Sequence, residues 1–232
     1  MLIALFAYDM PHRKTQDLFA RLNASQHTIA AVIAAPPVAL NIPHASIRTK
    51  LRHVGLIHPR ELAEAAGIPY RVAEHNSTEC AVILKDSGAQ AGVIGGARIL
   101  KGAVLNAAPL GIVNFHPGKI PEARGLDALF WSVYRDIDVG VTSHVIDERV
   151  DGGRIVEWRP LPLHADDTFL DLGERLIEIQ TDMVLTAIER IEKGRLQQVQ
   201  IPKDSLNRKM PVELEAQLPA MLPAYLRRRV SA

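Results

Sequence analysis

Asn114-Phe115-His116-Pro117-Gly118-Lys119-Ile120-Pro121-Glu122-Ala123-Arg124-Gly125, answered downstream by Val150-Asp151-Gly152-Gly153, is the stretch on which the reading of this chain turns. Gly111-Ile112-Val113 before it reads as a short apolar strand. Residues two apart on a strand point to one face, so Asn114 and His116 share a side. Pro117 ends ladder hydrogen bonding, which puts the pair at the strand's exit. In open α/β sheets that end is where ligands bind. Asp151 follows a second β-rich run, Gly140 to Ile146, and precedes a Gly-Gly turn. An amide can donate to a developing oxyanion and a carboxylate can orient a histidine, so Asn114, His116 and Asp151 are the candidate catalytic groups.

Outward from this stretch the pattern alternates. Residues 2–7 form an apolar run of the buried parallel-strand kind. Residues 13–23 have helical spacing, with Leu18, Phe19 and Leu22 on one side. Thr28 to Ala34 is a second strand that Pro36-Pro37 ends. Pro59 suits the first turn of a helix stopped by Gly67. Tyr70 to Ala73, Ala91 to Ile94 and Gly111 to Phe115 are further strands, and Asn76 with Glu79 reads as a capping box for a helix over 77–87. The runs 140–147 and 153–163 have no helix between them, so a hairpin-like edge is expected. Asp166-Asp167-Thr168 caps a long helix ending near Gly194, with Phe169, Leu172, Leu176, Ile179, Met183, Leu185, Ala187 and Ile188 as its apolar face. The class is therefore α/β, a Rossmann-like, mostly parallel sheet with flanking helices and right-handed crossovers. Residues 1–200 form the expected catalytic domain. Residues 201–232 form a small extension docked on it, with a helical pattern over 210–218 and a solvated Arg227-Arg228-Arg229 end.

The chain has 232 residues, 47% hydrophobic and 23% charged, with a formal net charge of +1. That gives no overall field for nucleic acid. The lone Cys80 excludes an internal disulfide framework and suits a reducing, cytoplasmic setting. Met1 to Tyr8 lacks the basic leader and length of a signal sequence, and no stretch approaches a membrane span. No Gly-x-Gly-x-x-Gly follows the first strand, no phosphate loop or nucleophile elbow is present, and His44, His53 and His58 lack zinc spacing, so no metal is expected.

The ordered set resembles the folate-dependent formyltransferases, whose pattern runs Asn-x-His-Pro, Leu-Pro, Arg-Gly, a Gly-x-Thr strand with a His, then an Asp-Gly turn. Here these read Asn114-Phe115-His116-Pro117, Ile120-Pro121, Arg124-Gly125, Gly140-Val141-Thr142-Ser143-His144 and Asp151-Gly152. Lys119 and Gly118 depart from the pattern, which has an apolar residue and commonly a serine there. The resemblance implies 10-formyltetrahydrofolate as the formyl donor. Its pteridine is expected by Ala97, Arg98, Ile99 and Leu100 and by the turn that carries Asp147 and Val150. It also implies His144 as a supporting or core histidine. A folate-binding or regulatory protein without activity is the rival from another class; the intact Asn114, His116 and Asp151 argue against it.

For the acceptor the resemblance leaves several amines. Methionyl-tRNA formyltransferases carry a large C-terminal domain, and the chain's end suggests none here. The first turn, Ala7 to Lys14, has no glycine, so it is not expected to cradle phosphate as glycinamide ribonucleotide formyltransferases do. From Leu18 to Arg60 there is no Asp or Glu, while Arg48, Lys50, Arg52 and Arg60 all fall there. This insert between Asn41 and Arg60 reads either as a site for a phosphate-bearing small-molecule amine or as a solvated or homodimer-facing loop. Arg48, Arg52 and Arg124 are the candidate substrate-binding residues. A nucleotide-linked amino sugar leads and glycinamide ribonucleotide follows; Trp131 and Tyr134 read first as core aromatics, with stacking on the sugar or base as the alternative.

Overall fold

The computed structural model of the chain describes residues 1–38, 43–52, 55–202 and 206–230. The insert positions 41, 42, 53 and 54, His53 among them, lie outside the described residues.

The order begins β1 (Leu2–Tyr8), α1 (Arg13–Asn23), β2 (Thr28–Ala35), α2 (Pro59–Ala65), β3 (Tyr70–Val72), α3 (Thr78–Asp86), β4 (Ala91–Ile94) and α4 (Ala103–Ala107). It continues with β5 (Ile112–His116), β6 (Arg124–Gly125), α5 (Ala128–Tyr134), β7 (Gly140–Val145), β8 (Arg154–Pro160) and α6 (Phe169–Glu192). It ends with β9 (Gln197–Gln198), β10 (Leu206–Asn207), α7 (Val212–Glu215) and α8 (Leu218–Val230). Among the described residues the main sheet has the order β3-β2-β1-β4-β5-β7-β8-β9. The first five positions are parallel; β7, β8 and β9 join antiparallel, which is the hairpin edge the sequence indicates.

The strand period decides the layers. Along β1, Ile3, Leu5 and Ala7 face the core shared with α1, α6 and α8, and Ala4 and Phe6 face the core shared with α3 and α4. All five are fully buried. Each large aliphatic side chain so buried stabilises the fold by about 1.5–3 kcal/mol. The chain leaves β1 toward β2 and β3 on one side and returns to β4 and β5 on the other. The switch point therefore lies at the carboxyl ends of β1 and β4, where the first residues of α1 face the end of β5.

Two local readings are corrected. The cap of α3 is Ser77, whose hydroxyl accepts from the Cys80 N–H at 3.1 Å, and not Asn76. The Asn76 amide is spent instead on the Ile99 carbonyl and the Lys101 N–H, each at 2.8 Å. The basic terminus is also not simply solvated. It is the end of α8, where Arg228 and Arg229 bond Asp136 at 2.9 and 2.6 Å. The same helix buries Leu218, Leu222, Tyr225 and Leu226 in the main core.

Candidate active site

Asn114 and His116 stand at the end of β5, and Asp151 reaches them from the turn between β7 and β8. The Asp151 Oδ1 lies 3.4 Å from His116 Nδ1, and its Oδ2 accepts the Gly125 N–H at 2.8 Å. Asp151 has φ 44°, a left-handed conformation that Asp tolerates better than most residues. The other ring nitrogen of His116, Nε2, lies 2.8 Å from the Ala123 carbonyl. Both nitrogens of this buried ring thus face oxygen acceptors.

His144 is fully buried on β7, the strand paired with β5. Its Nδ1 is 2.6 Å from the Gly152 carbonyl and its Nε2 is 3.3 Å from Asn114 Nδ2. A carbonyl only accepts, so Nδ1 carries the proton. Burial pushes the imidazole down to about 4, against the opposing effect of Asp151 and with some help from His116, so the ring is neutral at pH 7. Nε2 then accepts from the Asn114 amide. That fixes the amide's orientation and leaves its second N–H to be given elsewhere.

The loop between β5 and α5 is held by Thr142. Its hydroxyl donates to the Gly118 carbonyl at 2.6 Å and accepts from the Ile120 N–H at 3.2 Å. Gly118 has no room for a side chain: an added Cβ would meet His116 Nε2 at 2.7 Å, Ala128 Cβ at 2.8 Å and the Ala123 carbonyl more closely still. The departure at Gly118 therefore belongs to the way His116 is packed.

A cavity of about 580 Å³ opens beside His116. His12, Arg13, Lys14, Lys50 and Arg52 line it, with Leu51, Leu126, Phe130 and Ile177 as apolar wall and Asp127 and Glu174 as carboxylates. The described part of the insert forms its roof. The roof is tied down at three places. Gln16 bonds the Gly55 carbonyl and the Ile57 N–H. Glu174 accepts from the Leu51 N–H at 2.9 Å, and Thr49 crosses α6 directly over Gly173, where no Cβ fits. Glu215, from the C-terminal segment, accepts from Ser46 Oγ at 2.7 Å and also from the backbone N–H groups of Ser46 and Ile47.

The expected acceptor residues divide. Arg52 lines the cavity; Arg48 is exposed and is not among its lining residues. Arg124 is buried, and its Nε donates to the Val150 carbonyl at 3.1 Å, holding the Asp151 turn from below. Trp131 and Tyr134 are also not part of the wall. The Trp131 indole donates to the Arg208 carbonyl at 2.9 Å, the Arg135 guanidinium covers its face at 4.4 Å, and Tyr134 meets it edge-on.

The residues expected at the donor are not among those lining this cavity. The Ala97 carbonyl accepts from the Tyr8 hydroxyl at 2.8 Å, Leu100 is buried, and Arg98 and Ile99 are exposed, Ile99 to 49%. Glu148 bonds the Gly102 N–H at 3.1 Å and so ties this loop to the turn of Asp147 and Val150. Asp147 is occupied by Arg149.

Sequence reasoning missed Lys14 and His12. Lys14 Nζ donates to the Phe115 carbonyl at 3.0 Å, between Asn114 and His116 in the chain. Burial, together with Lys14 and Lys50, pushes His12 down to about 4. The one available signal was position: cations in the first turn of a helix oppose its dipole.

A mixed parallel and antiparallel sheet with an amide, an imidazole and a carboxylate brought together beyond the end of β5 places the chain in the α/β class. The chain belongs to the formyl transferase family, whose model matches residues 13–188. It is 31% identical over 175 residues to the methionyl-tRNA formyltransferase of Desulfotalea psychrophila, covering 72% of this chain and 54% of that protein. The chain thus spans about half the length of the curated relatives it matches. Its fold is that of glycinamide ribonucleotide transformylase 1 from Symbiobacterium toebii, with TM-score 0.64, 20% identity, and 86% of this chain and 95% of that one covered. It is also that of a sugar N-formyltransferase from Shewanella sp. FDAARGOS_354, with TM-score 0.58, 18% identity, and 89% and 76% covered.

Proposed function

We propose that this chain transfers a formyl group from 10-formyltetrahydrofolate to the primary amine of a small, phosphate-bearing acceptor, with a nucleotide-linked amino sugar ahead of glycinamide ribonucleotide. The observation that carries the reading is the convergence of Asn114, His116 and Asp151 beside a cavity whose wall holds His12, Lys14, Lys50 and Arg52.

The donor side fits a folate. Exposed Ile99 offers an apolar surface for a flat ring on a loop that Glu148 ties to the turn of Asp147 and Val150. The folate supplies an activated formyl carbon. The Asn114 amide, aimed by His144, gives its N–H to the oxygen that becomes negative when an amine attacks. Asp151 holds His116 in place, and His116 holds the Ala123 loop against the site.

The acceptor ranking rests on the first turn as well as the cavity. Asp9 occupies that turn, accepts from the Tyr70 hydroxyl at 2.6 Å and lies 3.7 Å from both His58 and Arg60. A carboxylate stands where a glycine-rich turn would offer N–H groups to a phosphate. Lys50 and Arg52 add positive charge from the insert to that of Arg13 and Lys14, which suits a longer acceptor with phosphates further from the amine.

The test is a panel of amines incubated with 10-formyltetrahydrofolate and read by mass gain of one formyl group. Formylation of a nucleotide-linked amino sugar is the expected result. Turnover of glycinamide ribonucleotide and no amino sugar would reverse the ranking. Thermal stabilisation by nicotinamide cofactors and none by folates would remove the donor assignment.

A further inference from the structure

We infer that Lys14 is the proton shuttle of the transfer, taking the proton that the acceptor nitrogen sheds and returning it to the departing nitrogen of the donor. The inference rests on the formyl-transfer reading above and adds a residue outside the Asn114, His116 and Asp151 set.

Position comes first. Lys14 lies in the first turn of α1, at the switch point of the sheet. Its Nζ bonds the Phe115 carbonyl and sits 5.8 Å from the centre of the Phe115 ring, and the residue lines the cavity together with His116. Its neighbour Arg13 is satisfied by Asp17 and Glu174. Among the described residues no carboxylate pairs with Lys14. The charged and titratable groups around it are His12 from the cap of α1, Lys50 from the roof, His116 from β5, His144 from β7 and Asp151 from the turn beyond. Burial pushes the ammonium down to about 7; Asp151 opposes that shift and Lys50 adds to it. A lysine so placed exchanges protons at neutral pH.

The second observation is that the other basic atoms at this centre are engaged. Both nitrogens of His116 face acceptors, the Ala123 carbonyl and Asp151. His144 Nε2 accepts from Asn114. Asp151 Oδ2 takes the Gly125 N–H while its Oδ1 faces His116. A neutral Lys14 gives one N–H to the Phe115 carbonyl and keeps a lone pair for a molecule in the cavity.

The step balances without any further reagent. The neutral acceptor nitrogen bonds to the formyl carbon, and the carbonyl pair moves to oxygen, where the Asn114 N–H meets it. The attacking nitrogen now bears a surplus proton, which the Lys14 lone pair takes. The oxygen pair re-forms the carbonyl, the bond from carbon to the donor nitrogen breaks, and its electrons go to that nitrogen. Lys14 then gives the proton to the same nitrogen and is neutral again. One hydrogen has passed from acceptor to donor, and nothing is oxidised or reduced.

The experiment compares Lys14→Arg and Lys14→Gln with the native chain. Arginine keeps the charge and the hydrogen bond but stays protonated. A shuttle predicts that both variants lose about 10²–10⁴ in kcat. The acceptor KM should change little, and the limb near pH 7 should vanish from the kcat/KM profile. Activity restored by arginine would overturn the inference and leave Lys14 as a fixed cation. A second measurement needs neither donor nor acceptor: competitive acetylation of the native full chain across pH, read lysine by lysine by mass spectrometry. Lys14 should half-react near pH 7 while exposed Lys85 and Lys193 react as ordinary surface amines. Lys14 behaving like Lys85 would overturn the proposal even if formyl transfer is shown. Early titration of Lys14 with no formylated amine would instead place the failure in the functional reading.

Discussion

His144 aims Asn114: one ring nitrogen is fixed by the Gly152 carbonyl at 2.6 Å, and the other accepts the Asn114 amide at 3.3 Å. Because the ring can accept on one side only, the amide cannot flip without losing this bond. His144→Phe should keep the packing volume while freeing the amide, and should lower turnover by roughly tenfold, the equivalent of one neutral hydrogen bond. Asn114→Ala removes the oxyanion donor itself and should cost about 10²–10³ in kcat with the fold intact by circular dichroism. A His144→Phe enzyme as impaired as Asn114→Ala would show that His144 does more than aim the amide.

Gly118 is set against the His116 ring. Gly118→Ala places a methyl group 2.7 Å from His116 Nε2 and 2.8 Å from Ala128. Overpacking of this kind costs about 1–3 kcal/mol. Chemical denaturation should show that loss, and activity should fall further than stability because the His116 ring is displaced. Restoring the serine of the family pattern should therefore impair this chain.

The two arginines of the insert should separate. Arg52→Ala should raise the acceptor KM and flatten its dependence on salt, since an exposed charge contact is screened. Arg48→Ala, outside the cavity, should leave it nearly unchanged. Equal effects of the two would place the acceptor across the outer face of the insert.

Stability should climb with pH between about 4 and 6.5. His12 and His144 are held neutral in the folded chain, each down to about 4, and unfolding restores their ordinary values. Between those limits the unfolded chain binds more protons, so acid favours unfolding there. Their contribution is complete above about 6.5 and is lost as pH falls through about 4. Urea midpoints at pH 4.5 and 7.0 should differ, and His144→Phe should reduce the difference.

Much of this was legible because it is local. Asn114 and His116 two apart before Pro117, the cap at Thr168, and the alternating faces of β1 all follow from short-range rules. What was hidden depends on distant partners. Lys14 and His12 carry no local signal beyond their place at the start of α1; only the roof and the end of β5 bring them to the cavity. Arg124 read as a ligand contact from its place in the pattern; its bond to the Val150 carbonyl, 26 residues on, had no signal in the sequence. Asn76 read as a cap because nothing in the sequence shows that the loop of Ile99 lies beside it. Trp131 read first as a core aromatic, and its partner, the Arg208 carbonyl, arrives 77 residues later.

One short stretch near the C-terminus grips both walls of the cavity. Leu206 and Asn207 pair with Arg124 and Gly125, whose N–H holds Asp151. Glu215, 169 residues beyond Ser46, holds the roof. On the proposed reading, the cavity that takes the acceptor depends on two segments that hold each other in place. A roof transplanted from a relative without its matching tail would arrive unanchored, and a tail altered at Glu215 would loosen a roof it does not resemble. Exchanging either segment alone should leave a chain that folds but holds the roof loosely, and exchanging both together should restore it.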